Sequence, residues 1–347
     1  MTYPNEITIA DVAKAAGVSV STVSRILNNK LDVASATRER VQRIIEEMGY
    51  SPHAQAQRLR AGKTRSIALL FSLKHPGNRP YNPLEMDFII GGAAAAGEQE
   101  FFFSLLTNPV SRHSLVDLYR SAQIDGLVLM QVHTQDWRVD LLREYDYPFV
   151  MIGHCNENTG LSFIDLDFAV GVEMAIEYLV EQGHHNIGFL GHPEVMRLNG
   201  YGPAVRSWEG YQRAVHNHNI VSTYQEASFV GQNLFNSTLT MLDDLPQMTA
   251  IVTVHANAAL NIIRALNERG LRVPEDCSVI ALTSQQIAEL STPALTTIDF
   301  PSYDMGYQAV AMLIRKLQGE SGEPEQILIP PRLELRDSTP PISARSE

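Results

Sequence analysis

The feature that most limits what this chain can fold into is a rhythm that begins at residue 66. Short apolar runs recur there: SIALLF (66–71), FFSLLT (102–107), GLVLMQV (126–132), PFVMIG (148–153), NIGFLG (186–191), TAIVTV (249–254) and SVIAL (278–282). Between them lie stretches of helical periodicity such as VGVEMAIEYLVEQG, SWEGYQRAVHNHN and ANAALNIIRALNERG. Runs this short, apolar at consecutive positions, fit strands covered on both faces, and strands alternating with helices fit parallel, doubly wound sheets. A single core rarely grows past ~250–300 residues. Residues 66–340 therefore predict two α/β lobes with a cleft between them, and in such folds ligands bind beyond the carboxyl ends of the strands.

The first 65 residues have a different grammar. Thr8-Ile9-Ala10-Asp11 places a Thr three residues before an acid, the pattern of a capping box. Ala-rich DVAKAA follows, and Gly17 stands where a C-terminal glycine belongs. Ser19 can cap a second helix in which Val23, Ile26 and Leu27 share one buried face, with Val18 as its staple. A third helix is expected in TRERVQRIIEEMGY, with Val41, Ile44, Ile45 and Met48 inward and Gly49 at its end. Helix, short glycine-bearing turn, helix is the spacing of a DNA-reading helix–turn–helix; a small three-helix bundle with a solvated polar face is the alternative.

If the unit reads DNA, the second helix does the reading. Its exposed face offers Val20, Ser21, Ser24 and Arg25. Short residues let the backbone approach base edges, and Arg25 is long enough for a guanine O6/N7 pair. Ser19, Thr22, Ser24 and Asn28 can donate to phosphate oxygens. Thr8, at the head of the first helix, and His53 complete the candidate DNA-contacting set on this side of the chain.

Charge divides the chain at the same place. The 347 residues carry −12, yet residues 1–65 hold ten Lys/Arg against six acids, a balance of +4, and the remaining 282 carry −16. A small basic head on an acidic body predicts that only the head meets a polyanion. The composition, 44% hydrophobic and 19% charged, is that of a globular protein. No 18-residue apolar run and no secretory leader is evident, and Cys155 and Cys277 lack metal-ligand or disulfide-framework spacing. A cytoplasmic location without membrane contact is expected. GGAAAAG (91–97) has no dinucleotide register, no phosphate loop or nucleophile elbow occurs, and His184-His185 and His216/His218 read as solvated helix ends. No cofactor, metal or enzymatic activity is expected.

The segments TIADVAKAAGVSVSTVSRILNN and RERVQRIIEEMGYSPHAQAQRLRAGKTRSIALL closely resemble the lactose-repressor (LacI-type) family of bacterial transcription regulators. The resemblance continues through EYLVEQGHHNIGFLG, ALNERGLRVPEDCSVIAL and PALTTIDFP, nearly the whole chain. It implies that residues 1–50 bind DNA, with Val20, Ser21 and Arg25 reading the major groove. Residues 51–65 would be a hinge that becomes helical when two protomers meet on a pseudo-palindromic operator. Leu59 would wedge between base pairs at the operator centre, with Arg58, Arg60 and Lys63 near the flanking phosphates. Residues 66–340 would form an effector domain similar to periplasmic sugar-binding proteins, followed by a tail at 341–347. Its N-lobe is placed at about 66–163 and 293–323, its C-lobe at about 164–292 and 324–340.

The expected pocket departs from the family pattern. Where an arginine precedes the glycine by three residues in RxxG[FY], VRSWEGY has Ser207, with Arg206 one place earlier. An Asp-bearing element after the SVI strand is replaced by Thr283 and Ser284, the pair after TAI by His255-Ala256, and a stacking aromatic by Asn233. Ser72 keeps the serine that ends the first strand. Ser72, Arg206, Trp208, Asn233, His255 and Thr283 are the candidate effector residues. With paired Asp/Arg grips missing, the effector is a sugar, a less hydroxylated metabolite, or nothing in a degenerate pocket. The expected protein is a homodimeric DNA-binding regulator, most simply a repressor, whose operator affinity answers to a small molecule; a solute-binding protein is the rival.

Overall fold

In the computed structural model, which describes residues 7–27, 33–50, 64–71, 83–227, 231–255, 258–320 and 322–339, the chain divides into two units, Met1–Thr64 and Arg65–Glu347. The first unit holds helices α1 (Ile9–Ala16), α2 (Val20–Leu27) and α3 (Ser35–Met48). Thr8 caps α1 reciprocally: its backbone N–H donates to Asp11 Oδ2 at 2.9 Å, and the Asp11 N–H donates to Thr8 Oγ1 at 3.3 Å. Such a cap contributes about 1 kcal/mol. Gly17 and Gly49 close α1 and α3 at φ 63° and 62°, a left-handed conformation that costs an L side chain more than glycine. Ser19 caps α2 by accepting from the Thr22 N–H at 3.2 Å. Val12, Val23 and Val41, one from each helix, are completely buried at the centre, and Ile44, Ile45 and Met48 pack around them.

The second unit contains β1 (Ser66–Leu70), α4 (Pro83–Glu98), β2 (Phe102–Leu106), α5 (Arg112–Arg120), β3 (Gly126–Leu129), α6 (Trp137–Glu144), β4 (Phe149–Ile152) and β5 (Phe163–Leu166). There follow α7 (Phe168–Glu181), β6 (Asn186–Gly191), α8 (Glu194–Leu198), α9 (Gly202–His218), β7 (Val221–Glu226), α10 (Gly231–Asp244), β8 (Ala250–Thr253) and α11 (Ala258–Glu268). The last elements are β9 (Ser278–Thr283), α12 (Gln285–Leu290), β10 (Thr296–Asp299), α13 (Ser302–Gln318), β11 (Gln326–Ile329) and β12 (Leu333–Glu334). Two six-stranded sheets result, ordered β11-β5-β4-β3-β1-β2 and β12-β10-β9-β8-β6-β7. Every pairing is parallel except β10 with β12. Strands β1, β3, β4, β8 and β9 are buried almost throughout, as double-sided cover demands.

The chain crosses between the lobes after Leu166, after Asp299 and after Ile329, which corrects the expected boundaries at 293 and 324. Strand β10 belongs to the second sheet because Thr296–Asp299 pair in parallel with Ile280–Thr283. Only then does α13 return to pack on α4 in the first lobe, and β11 adds beside β5. The sequence rhythm lacked β5, β7, β10, β11 and β12. Each is either four residues or fewer, or, like VSTYQE in β7, a polar edge with no continuous apolar run.

One further sequence reading gains a packing reason, and one changes. GGAAAAG lies in α4, where Gly91 and Gly306 let α4 and α13 touch backbone to backbone. A Cβ on Gly91 would stand 2.1 Å from the Tyr303 carbonyl oxygen, and one on Gly306 2.2 Å from that of Phe88. His184 is not a solvated helix end: it is buried, with Nδ1 2.8 Å from Thr249 Oγ1 and Nε2 3.1 Å from Ser278 Oγ. The Gly183 turn after α7 tucks it under the second sheet, while His185 and His216 are exposed. Among the described residues no helix is long and apolar enough to cross a membrane.

Candidate functional site

The first unit presents one polar helix face. On α2, Ser19, Ser21 and Arg25 are exposed and Val20 is 41% exposed, while Val23 and Ile26 hold the opposite face in the core. Ser19 Oγ lies 2.7 Å from Ser21 Oγ and 2.8 Å from Thr22 Oγ1, so three hydroxyls gather at the helix N-terminus. That end carries partial positive charge and spare N–H donors, which suits an anion. Thr22 and Ser24 are half-buried at the rim of the same face. Thr8 has its hydroxyl committed to Asp11 Oδ2 at 2.6 Å, which makes it a helix cap first. Asn28, His53, Arg58, Leu59, Arg60 and Lys63 lie outside the described residues.

The second unit holds a cavity of about 120 Å³ where the carboxyl ends of both sheets converge. Met130 and Val132 after β3, Gly153 after β4 and Asp165 in β5 contribute from one lobe. His192 after β6, Val254 and His255 after β8, and Leu282 in β9 contribute from the other. The walls are mainly apolar, with Phe71, Phe88, Phe168, Phe300 and Tyr201 as the aromatic members. Phe300 joins the rings into a cluster, edge-on to Phe88 at 5.8 Å and tilted to Phe168 at 5.6 Å.

The polar members of the wall are few and fixed. His255 and His192 meet edge to face with ring centroids 4.6 Å apart. His255 Nε2 is 2.9 Å from the Gly191 carbonyl, which only accepts, so Nε2 carries the hydrogen of the neutral ring. Burial lowers its pKa to about 4, and burial together with the neighbouring ring holds His192 well below the ordinary imidazole range. Both are therefore uncharged at neutral pH. The Tyr224 hydroxyl donates to the His192 carbonyl at 3.0 Å. Asp165 is nearly fully buried: Oδ1 accepts the Leu166 N–H at 2.9 Å, and Oδ2 lies 2.8 Å from His154 Nδ1.

Arg206 joins the lobes beneath this cavity. Its guanidinium, carried by α9 of the second lobe, donates from Nη2 to the His154 carbonyl at 2.8 Å and sets Nη1 3.8 Å from Asp165 Oδ2, both in the first lobe. Nη1 is buried without a hydrogen bond to any described residue, and burial lowers the pKa of the guanidinium against the attraction of Asp165. Alongside runs a second crossing made of main chain. Thr134 N–H donates to the Gly200 carbonyl at 2.7 Å, Gly202 N–H donates to the Val132 carbonyl at 3.1 Å, and His133 and Tyr201 form an antiparallel bridge. The approach is close enough that a Cβ on Gly202 would lie 3.1 Å from the Val132 oxygen.

Of the residues singled out in the sequence, His255 lines the cavity and Arg206 reaches its border through Asp165. Trp208 is turned elsewhere, edge-on to Tyr224 at 4.5 Å with the Arg197 guanidinium 4.7 Å above its ring. Asn233 is exposed one residue before the lining Leu234, and Thr283 is buried one residue after the lining Leu282. Ser72 lies outside the described residues. Asp165, His192 and Tyr201 were missed. The available signal was position: His192 directly follows the apolar run NIGFLG, whereas Asp165 itself interrupts the apolar run FIDL of β5.

Comparison with known proteins places these features in context. The model of the bacterial regulatory proteins of the lacI family matches residues 8–53, and that of the periplasmic binding protein-like domain matches residues 176–339. The HTH-type transcriptional repressor PurR of Histophilus somni (strain 129Pt) is 31% identical over 340 residues, covering 95% of this chain and 98% of its own. The transcriptional regulator CelR in its cellobiose complex superposes with a TM-score of 0.69 at 27% identity, over 96% of this chain and all of the other. The Lac repressor dimer bound to operator and the anti-inducer ONPF shares the fold at a TM-score of 0.82 and 24% identity, over 96% and 99%.

Proposed function

Since the chain belongs to the lacI family of bacterial regulatory proteins, we propose that it is a DNA-binding transcriptional repressor that acts in the cytoplasm by binding and not by turnover. The observation that carries the reading is the α2 face: a hydroxyl-rich helix N-terminus with Arg25 one turn on, mounted on a core fixed by Val12, Val23 and Val41. Val20 and Ser21 allow close approach to base edges, Arg25 reads, and Ser19, Thr22 and Ser24 hold phosphates. One such helix spans only a half-site, so a two-fold homodimer on a pseudo-palindrome is the assembly that reads a full operator. Asn28, His53, Leu59, Arg60 and Lys63 extend the proposed DNA-contacting set, and Thr8 orients α1 behind it.

The cavity between the lobes is the proposed effector site. A small molecule there touches both sheets, so it favours whichever lobe arrangement it fits, and its differential affinity sets the shift in operator binding. His255, Asp165 and His192 are the proposed contacts. Arg206 is assigned to holding the lobes together through His154 and Asp165, in place of the hydroxyl grip that the sequence suggested. Trp208, Asn233, Thr283 and Ser72 are kept as flanking positions. The direct test is selection of random duplex DNA by the full chain followed by sequencing. Enrichment of a palindromic site of two half-sites is the expected outcome; retention of DNA without sequence enrichment would remove the operator-reading role.

A further inference from the structure

The second unit begins at Arg65, and the chain from the reading unit arrives there through Thr64, which is buried. Arg65 has a left-handed backbone at φ 51°, a conformation that disfavours an L residue and persists where the surroundings enforce it. The enforcing contacts come from the loops that lead into the two neighbouring strands. Ahead of β3, Asp125 Oδ2 accepts the Arg65 N–H at 2.6 Å, and the Asp125 N–H donates to the Ser66 carbonyl at 2.7 Å. Ahead of β2, the Phe102 N–H donates to the Arg65 carbonyl at 2.7 Å. The Arg65 guanidinium donates from Nη2 to the Gln99 carbonyl at 2.7 Å and lies 5.2 Å from the centre of the Phe101 ring.

The second lobe supplies an internal comparison. Its strand order β10-β9-β8-β6-β7 repeats β5-β4-β3-β1-β2 of the first. At the start of β6 the equivalent carbonyls are taken in the same way: the Val221 N–H donates to His185 and the Thr249 N–H to Asn186, both at 2.9 Å. Strand pairing is therefore complete there without a carboxylate. Thr249 stands where Asp125 does, and His185 is not among the described non-glycine residues with a positive φ. The carboxylate clamp is an addition, made at the strand start that receives the chain from the basic head. Resting on the reading of the protein as a dimeric operator-binding regulator, we propose that Asp125 is a positioning residue for operator recognition: it anchors the tether of each reading unit and so limits the two half-sites to one spacing. The gain from joining two binding modules depends on how well the reach of the tether matches the span between their sites. Releasing Thr64 and Arg65 lengthens that reach by about 7 Å per arm, about two base-pair steps of DNA.

The test uses the full chain and the palindrome that it selects from random duplex DNA. Fluorescence anisotropy is measured on that palindrome, on versions with one or two base pairs added or removed between the half-sites, and on a duplex with a single half-site. The parent is expected to prefer its selected spacing by about tenfold or more. Asp125→Ala and Asp125→Thr, the second carrying the residue that the other lobe uses, should lose about tenfold on the palindrome and bind neighbouring spacings almost equally, with the single half-site unchanged. Asp125→Asn keeps an acceptor for the Arg65 N–H and should retain the parent's preference. An unchanged spacing preference in the Ala and Thr variants, an equal loss on the single half-site, or a loss in Asp125→Asn as large as in Asp125→Ala would each overturn the proposal. So would loss of the folded dimer in both Ala and Thr variants, read by sedimentation, since Asp125 would then serve the fold. Failure of the parent to select any palindrome counts against the regulator reading itself, whereas a palindrome bound with the same spacing preference by parent and variants counts against the clamp alone.

Discussion

His255 ties the cleft to acidity. An unfolded chain leaves this imidazole near its ordinary value of about 6.5, while burial in the fold lowers it to about 4. Between those limits the unfolded state takes up a proton that the folded state refuses, so stability is complete above pH 6.5 and declines as pH falls towards 4. The loss from this one group amounts to about 3 kcal/mol across the window. His255→Gln should therefore lose less stability between pH 7 and pH 4.5 than the parent chain, measured by urea denaturation at each pH. Equal losses would show that His255 is not the group responsible. On the DNA side, Arg25→Ala should cost about 1–3 kcal/mol on a selected operator and little on scrambled duplex, measured by fluorescence anisotropy. An equal loss on both would make Arg25 a phosphate contact. The exposed position of Arg25 on α2 was legible because helical periodicity alone sets which face is outward. Asp165 was not, because its importance comes from Arg206 and His154, which reach it only when the lobes are assembled.

Helices α4 and α13 show what an element needs from its smallest residues. At Gly91 and Gly306 the two backbones approach so closely that no Cβ fits between a helix and the opposing carbonyl oxygen. Gly306→Ala should force the pair apart and destabilise the second unit by about 1–3 kcal/mol, against the slight gain that alanine brings in an open helix. Denaturant unfolding checks both sign and size. Strands buried on both faces, such as β1 and β9, announced themselves as unbroken apolar runs. β10 and β11 did not, since TTID and QILI carry polar residues; their place follows from pairing, β10 with the nearby β9 and β11 with β5 across a long stretch of chain. The expected crossing points slipped for that reason: pairing partners, not local composition, decide which lobe owns a strand.

For the molecule as a whole the division of charge governs what it ignores. A head at +4 and a remainder at −16 confine attraction for a polyanion to the reading unit and discourage accumulation along DNA elsewhere. Operator affinity should fall steeply with salt. With about six phosphates neutralised by the proposed dimer, the slope of log K against log salt is about −5, checked by titration between 50 and 200 mM. A slope near zero would mean that the Lys and Arg residues of the basic head make no phosphate contacts. The bridge between residues 132–134 and 200–202 has its own bearing at this scale. Its hydrogen bonds run from main chain to main chain, so they persist whatever side chains occupy the cavity walls. Wall side chains can therefore change while this crossing between the lobes keeps its hydrogen bonds.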